Sequence, residues 1–376
     1  MKKVLIVGGG IAGLSSAILL EKAGYEVEIA EKADKWEPVG AGIVLWPNAL
    51  KVLEACNVRD DVEIRGNILQ KMNVVDRSGK RITGFDFTSI SRKEKLYAVG
   101  IFRPELHNAL VNGLKNTKVI PGTSIDSLTD ENDCVSVQLT NGVTKEYDFV
   151  IGADGINSTV RSLIFGETKL RYSGDSGWRF ITNTAFNDNT AYEMWGNVKR
   201  FGIVPIGNNK LYCFSIINSG INNEKYRNLA IGDYKYLYSE LGWKAKDILN
   251  SLPFETKLIY NDLHDLRLKR WYKGNVVLIG DAAHAVTPNL GSGAAMAMED
   301  ALSLTQALYR NDTPEAAFKE YFQSRYKRVN YIRNASYWLG KARQLNNFTG
   351  KIRNIFMRTT GSLTAPYIVK KITGIK

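Results

Sequence analysis

Two glycine clusters stand near opposite ends of a chain of 376 residues. The first is Gly8-x-Gly10-x-x-Gly13, followed by a carboxylate at Glu31; the second runs from Gly280 and Asp281 through Pro288 to Gly291 and Gly293. Each suits a turn that opens a helix, whose first N–H groups and positive dipole end attract an anion. In the first cluster Gly8 allows a tight turn, Gly10 lets backbone approach a pyrophosphate, and Gly13 lets helix and strand pack closely. Glu31 is spaced to accept hydrogen bonds from an adenosine ribose. In the second, Asp281 offers acceptors to a hydroxylated chain, and the helix start at Gly291 to Gly293 faces another anionic group. One long ligand with two ends would use both. Flavin adenine dinucleotide (FAD) has that shape, and a helix start at its pyrimidine edge would stabilise the charge of the reduced flavin by about 0.3–2 kcal/mol.

The elements that must position these residues follow from hydrophobic period and turn chemistry. KKVLIV reads as a buried strand, GGGIAG as a turn, LSSAILLEKAG as a helix closed by Gly24, and YEVEIAE as a second strand: one βαβ unit over residues 2–31. Asn141-Gly142 marks a hairpin, after which the strand FVIGA runs into Asp154-Gly155. From 171 to 264 the pattern is mostly β and aromatic-rich, with a hairpin turning at Gly207 to Asn209. VVLIG is a strand carrying Asp281 at its carboxyl end, where open α/β sheets place ligands. Helical periodicity begins at 294 and continues to about 345. The fold class expected is α/β: a Rossmann-like FAD-binding domain, residues 1–170 with 265–320, an inserted mostly β substrate domain at 171–264, and a basic C-terminal helical region at 321–376.

Three stretches, GGGIAGLSSAILLEKAGYEVEIAE, IGADGINSTVR and GNVVLIGDAAHAVTPNLGSGAAMAMEDA, together with FRPELHNAL, occur in this order. In them the chain resembles the flavin-dependent aromatic hydroxylases, single-component FAD monooxygenases similar to para-hydroxybenzoate hydroxylase. The resemblance implies FAD contacts at Glu31, Arg103 and Asp281, and places Pro288 and Gly291 beside the flavin ring. It implies that Asp154 and Arg161 serve FAD and pyridine-nucleotide use. GAGIVLWPNALKVLE, with Gly42 to Asn48, is similar to the segment lining the inner flavin face in the urate- and salicylate-hydroxylase-like branch. The implied activity is hydroxylation of an electron-rich aromatic by a flavin hydroperoxide, with NADH or NADPH as electron donor, dioxygen as co-substrate and FAD held non-covalently. Two alternatives stay open: another flavoprotein oxidoreductase acting on a quinone, isoprenoid or polycyclic substrate, and a flavin-free isoprenoid-binding protein. The W-x-W-x-I-P motif of flavin halogenases is missing from the sequence.

Other residues carry plainer readings. Asp154 could be a turn-forming Asp-Gly with no ligand. His284 reads better as a packed or solvent-touching histidine than as a base, since oxygen transfer does not need one. Arg200 and Tyr212 are the substrate-orienting candidates; a three-residue turn at 207–209 puts them on one face of the sheet and a two-residue turn on opposite faces. Trp46, Trp178, Trp195 and Phe214 suit a core better than a pocket.

Composition bounds the rest. A 44% hydrophobic and 23% charged chain is an ordinary globular one. Cys56, Cys134 and Cys213 follow no C-x-x-C pattern, which fits a reducing compartment, and His107, His264 and His284 lack metal-ligand spacing, so no metal is expected. The opening MKK and apolar run are a poor secretory signal, because four glycines weaken the helix; a cytoplasmic protein is expected. Residues 321–376 hold twelve Lys or Arg and no Asp or Glu, leaving 38 basic against 38 acidic residues in 1–320. This excess is read as a solvated face, as contact with the anionic inner membrane surface, or as attraction for anionic substrate; no nucleic-acid motif accompanies it.

Overall fold

The computed structural model describes residues 2–36, 40–89, 96–131, 133–184, 186, 188–345 and 347–374. Its centre is a six-stranded sheet ordered Tyr272–Lys273, Val276–Leu278, Phe149–Gly152, Lys3–Val7, Glu26–Ala30, Lys118–Ile120. All neighbours run parallel except the first pair. Lys3–Val7 is buried from Val4 onward, as a strand covered on both faces must be, and this explains its unbroken apolar sequence. The helix Ile11–Lys22 is likewise buried over ten consecutive residues, Ile11 to Leu20. Gly13 lies where a methyl group would run into the carbonyl of Gly8, and Gly8 takes φ +106°, so the strand-to-helix turn tolerates a side chain at neither.

The parallel order creates a crevice. Lys3–Val7 is paired on one side by the next strand in sequence, Glu26–Ala30, and on the other by Phe149–Gly152 from far along the chain. At such a switch the loops leaving the carboxyl ends diverge and open a groove between them. The glycine turn at 8–13, Glu31, Asp154 and Asp281 follow, respectively, the ends of Val7, Ala30, Gly152 and Leu278, four adjacent strands. This single topological fact gathers residues as far apart in the chain as Gly8 and Asp281.

A second, seven-stranded sheet has the order Ile259–Asp265, Arg171–Thr182, Leu211–Asn218, Lys199–Pro205, Thr190–Trp195, Lys71–Asp76, Arg81–Asp86. Five strands come from the interval after 171, and two come from a hairpin at 71–86, brought in by parallel pairing of Lys71–Asp76 with Thr190–Trp195. The sheet's two faces differ by the period-2 rule. Trp178, Phe180, Phe201, Ile203 and Cys213 form a separate core beneath the helices Ile231–Leu237 and Trp243–Ser251. The other face, with Ile181, Tyr212 and Phe214, packs against the main core.

Three long helices close the chain: Gly293–Arg310, Pro314–Arg343 and Asn347–Thr373. The last of them lies beyond the clear helical periodicity that ends near 345, within the C-terminal region expected to be helical. The reason is tertiary: the last helix lies along the edge strand Arg81–Asp86, with Arg358 donating to Asp76 at 2.6 Å and Gly361 against Thr83. Its sequence alone, with glycines at 350 and 361 and a proline at 366, has no strong helical signal.

Candidate functional site

The first glycine turn is built from backbone. Gly10 caps the helix Ile11–Lys22, and a Cβ placed there would meet nothing within 4 Å, so the turn faces open space at the position expected to approach a phosphate. Glu31 reaches back across the turn: its carboxylate accepts from Gly9 N at 2.6 Å and from Ala33 N at 2.9 Å. His107 Nε2 lies 2.9 Å from Gly9 O, and its ring meets Trp36 edge-on. The carboxylate and this histidine fix the loop from two sides, a role for His107 that sequence spacing does not suggest.

Asp281 and Arg103 share an unusual environment. Both side chains are exposed, yet both are crowded by protein, the signature of groups lining an interior cleft. Burial pushes the Asp281 carboxyl upward, opposed by the positive charges of His284 and Arg103. Burial lowers the Arg103 pKa, as does repulsion from Arg179, against the pull of Asp281. Arg103 opens the helix Arg103–Gly113, and Asp281 opens a short turn of helix, Asp281–His284. The fold thus brings together two sequence candidates from remote segments. A surface cavity of about 580 Å³ lies elsewhere, by Lys3, Glu26 and Lys145, at the amino ends of the strands.

Asp154 and Arg161 sit differently. Asp154 Oδ2 caps the helix Thr159–Phe165 by accepting from Thr159 N at 2.7 Å and Val160 N at 3.1 Å, and its Oδ1 is buried with no partner. Arg161 is buried, and its guanidinium donates to Thr168 Oγ1, Ala282 O and Ile156 O. It braces the turn beginning at Asp281 and does not line the cleft, because three protein acceptors already hold its fork.

The second glycine segment is held by side chains from elsewhere. Asp300, two turns into the helix Gly293–Arg310, accepts from Gly280 N at 2.9 Å and lies 2.5 Å from His284 Nε2; Arg325 Nε donates to its other oxygen at 2.8 Å. Burial alone would raise the Asp300 pKa, but the His284 and Arg325 charges with these hydrogen bonds hold it at about 2. His284 is the packed histidine of the plainer reading, buried against the Trp271 ring. Gly291 takes φ +59° and its carbonyl accepts from Trp46 Nε1 at 3.0 Å. Asn48, from the same stretch as Trp46, donates to Glu299 at 2.8 Å. Pro288 and Gly291 are exposed and Gly293 is half-buried, beside these anchors. Gly42, at the start of the stretch, packs so closely on Tyr212 that any side chain would overlap that ring.

The register question at the hairpin is answered by pairing. Pro205 faces Leu211 and Val204 faces Tyr212, with Gly207, Asn208 and Asn209 all at positive φ in a three-residue turn. Arg200 and Tyr212 are therefore on one face, with Gly202, Val204 and Phe214. Their environments diverge. Tyr212 is half-buried near the cleft, its hydroxyl pushed up to about 12 by burial against the opposing charge of Arg179. Arg200 is buried: it donates to Asn289 Oδ1 at 2.7 Å and Glu193 Oε1 at 3.4 Å, with Asp175 at 4.0 Å. Arg343 donates to Asn289 O at 2.9 Å and lies 3.1 Å from Glu193. Trp46, Trp178 and Trp195 are buried, and Phe214 is half-buried on the cleft-side face. Sequence reasoning misses Glu193, Asn289, Asp300 and Arg343; only Asn289 and Asp300 lie inside a recognisable motif.

The family described as FAD binding domain matches residues 1–335. The chain is 34% identical to 2-heptyl-3-hydroxy-4(1H)-quinolone synthase of Pseudomonas aeruginosa over 359 residues, covering 94% of this chain and 93% of that protein. It is 30% identical to aurachin C monooxygenase/isomerase of Stigmatella aurantiaca, covering 96% and 94%. Among solved structures, Klebsiella pneumoniae HpxO complexed with FAD and uric acid superposes with a TM-score of 0.87 at 23% identity, covering 99% of this chain and 96% of that one.

Proposed function

The chain belongs to the FAD binding domain family, its relatives are FAD-dependent monooxygenases, and we propose that it hydroxylates an uncharged, fused bicyclic heteroaromatic bearing an alkyl chain, a substrate of the alkylquinolone class. NADH or NADPH supplies two electrons; one atom of dioxygen enters the substrate and the other leaves as water. When bound, FAD provides the redox chemistry that activates dioxygen.

The residues present fit that cofactor. Gly8, Gly10 and Gly13 with the helix start at Ile11 would take the pyrophosphate, Glu31 the adenosine side, Asp281 and Arg103 the central chain, and Gly42, Pro288, Gly291 and Gly293 the ring end. Open space at Gly10 and the exposed yet crowded Asp281 support this placement. Arg161 and Asp154 serve it indirectly, through the Ala282 carbonyl and the cap of Thr159–Phe165. The sheet of residues 171–264, joined by the hairpin at 71–86, is the substrate module in this reading, and the rest of residues 1–170 with 265–320 holds FAD.

The observation that carries the substrate class is the state of Arg200. A cation aimed at a substrate carboxylate or urate-like anion must keep donors available, but this one is compensated by Glu193 and Asp175 and clamped on Asn289. What the sheet turns to that side is Ile181, Val204, Phe214 and the Tyr212 ring, and Arg179 on the same face donates to Asn261. Such a face desolvates an apolar ring cheaply and holds it by area rather than by charge. Excluding water keeps the activated oxygen from being lost as hydrogen peroxide. The two relatives named for quinolone and aurachin substrates agree with this reading. Peripheral contact with the inner membrane surface belongs to it as well, since an alkylated ring system partitions into lipid.

The test is NAD(P)H oxidation by the purified yellow holoprotein with 2-alkyl-4-quinolones, urate and small hydroxybenzoates as separate additions, and product mass under isotopic dioxygen. Stimulation by the quinolones with one labelled oxygen in product is expected. Turnover of urate or a hydroxybenzoate alone would overturn the substrate class while leaving monooxygenation intact.

A further inference from the structure

The last 56 residues carry the basic excess, but the structure divides that charge in two. Arg325, Arg328 and Arg343 face inward and pair with Asp300, Glu299 and Glu193, and the exposed Arg358 pairs with Asp76. Arg353 also turns inward, its guanidinium 4.4 Å from the centre of the Trp195 ring. By contrast, Lys351, Lys370 and Lys371 are exposed on the helix Asn347–Thr373.

That helix is two-faced. Gly350, Gly361, Val369 and Ile372 are buried against the body of the protein. On the opposite side Ile352 is 56% exposed, Ile355 62%, Phe356 65% and Tyr367 61%. At 100° per residue these four fall within an arc of about 120°, and Lys370 lies inside the same arc with Lys351 and Lys371 just outside it. Large aliphatic and aromatic side chains kept in water over several turns cost free energy unless something covers them. Trp338, on the preceding helix, is another large exposed aromatic, 67% exposed.

We propose that this outer face docks in the plane of an anionic lipid bilayer, its apolar stripe in the headgroup–acyl boundary and its lysines on lipid phosphates. Three observations favour lipid over a protein partner or a second copy. No acidic residue occurs anywhere in 321–376, so two copies meeting here would bring like charges together. The combination of lysines with aliphatic and aromatic residues on one face is what an interfacial helix needs. No helix among the described residues is long and apolar enough to cross a membrane, which leaves the in-plane arrangement. The inner side of the same helix rests on the edge strand Arg81–Asp86 and, through Arg353, on Trp195 of the substrate sheet, so a docked helix would bring that sheet to the lipid surface. The proposal deepens the reading of an alkylated substrate by giving it a route from the membrane, and vesicle binding tests it without any turnover.

The experiment is cosedimentation of the FAD-loaded full chain with phosphatidylcholine vesicles, with and without phosphatidylglycerol, at low and at physiological salt. Binding to the phosphatidylglycerol vesicles is expected to exceed binding to neutral ones by about tenfold or more at low salt and to weaken as salt rises. Ile355→Glu with Phe356→Glu should lower it at least about tenfold, and Lys370→Glu with Lys371→Glu should abolish the preference for anionic lipid. Flavin content and melting temperature of each variant confirm that the fold is intact. No binding of the intact protein to phosphatidylglycerol vesicles at low salt overturns the proposal. So does binding that survives Ile355→Glu with Phe356→Glu. Light scattering that shows a dimer broken by those substitutions, without vesicle binding, reassigns the face to a copy–copy interface.

Discussion

The two glycine segments do related work by different means. At residues 8–13 the turn is enforced by backbone: Gly13 against the Gly8 carbonyl, Gly8 at positive φ, and a single carboxylate, Glu31, returning to Gly9. At 280–293 the segment is held by side chains from four other parts of the chain, with Asp300 on Gly280 N, Trp46 on Gly291 O, Arg343 on Asn289 O and Arg200 on the Asn289 side chain. A local motif can be carried in six residues. A distributed one exists only once the rest of the molecule has folded around it, and it is open to damage from many more positions.

The sharpest test of the backbone-built segment contrasts two of its glycines. Gly13→Val should prevent folding, because the new side chain meets a carbonyl that cannot move; overpacking of this kind costs about 1–3 kcal/mol or more, on top of the lost turn. A Cβ at Gly10 meets no protein atom, so Gly10→Val should give a folded, colourless protein. Circular dichroism and flavin absorbance distinguish the two outcomes, and equal flavin content in Gly10→Val and the parent would break the assignment of this turn to FAD.

For the distributed segment the largest loss should come from Asp300→Ala, which strands the buried Arg325 and His284; removing one partner of a buried pair costs about 3–5 kcal/mol, read as a fall in melting temperature. The carboxyl's folded pKa, about 2, is below its usual 3.8, so its stabilisation is fully present above pH 3.8 and is lost as pH falls through 2. Acid unfolding of the parent in that window should be steeper than that of Asp300→Asn; identical profiles would show that the carboxylate carries no such linkage.

Asp281→Ala should leave melting of the apoprotein nearly unchanged and weaken FAD by roughly 0.5–3 kcal/mol, by fluorescence titration. A large drop in apoprotein stability instead would make Asp281 part of the structural network rather than a ligand group. Trp46→Phe should have the smallest effect, about 0.5–1.5 kcal/mol, through the lost hydrogen bond to Gly291, and it should appear as faster FAD release. If release is unaffected, the carbonyl of Gly291 does not help shape the ring end of the site.

These differences also explain what could be read before the fold was known. The βαβ unit, the Asp-Gly after Phe149–Gly152 and the strand before Asp281 are legible because period-2 and period-3.6 patterns and turn residues are local signals. The shared face of Arg200 and Tyr212 required the turn length, which two asparagines at positive φ decide. That Arg200 is spent on Glu193 and Asp175 required knowing that Thr190–Trp195 pairs beside Lys199–Pro205 and that Arg171–Thr182 is near enough to bring Asp175 close. The acceptors of Arg161 were hidden for the same kind of reason: a motif tells where an arginine stands in the chain, not which carbonyls and hydroxyls it meets. The final helix, expected only as part of a helical region at 321–376, shows no clear periodicity because packing against Arg81–Asp86, not propensity, holds it.

The inward half of the basic tail has a consequence for biosynthesis. Asp300 and Glu299 are completed by Arg325 and Arg328, and Glu193 by Arg343, residues that leave the ribosome after their acidic partners. The central sheet is also late to assemble, since Lys3–Val7 pairs with Phe149–Gly152 and that strand with Val276–Leu278. Contacts of such long range close slowly. A nascent chain that ends before the penultimate helix therefore holds its FAD-site scaffold open, with acids in place of ion pairs and apolar strands in want of neighbours. Nonsense products truncated near 320 should be cleared by proteases rather than accumulate as small flavoproteins, so the last helices act as a completion check on the whole molecule.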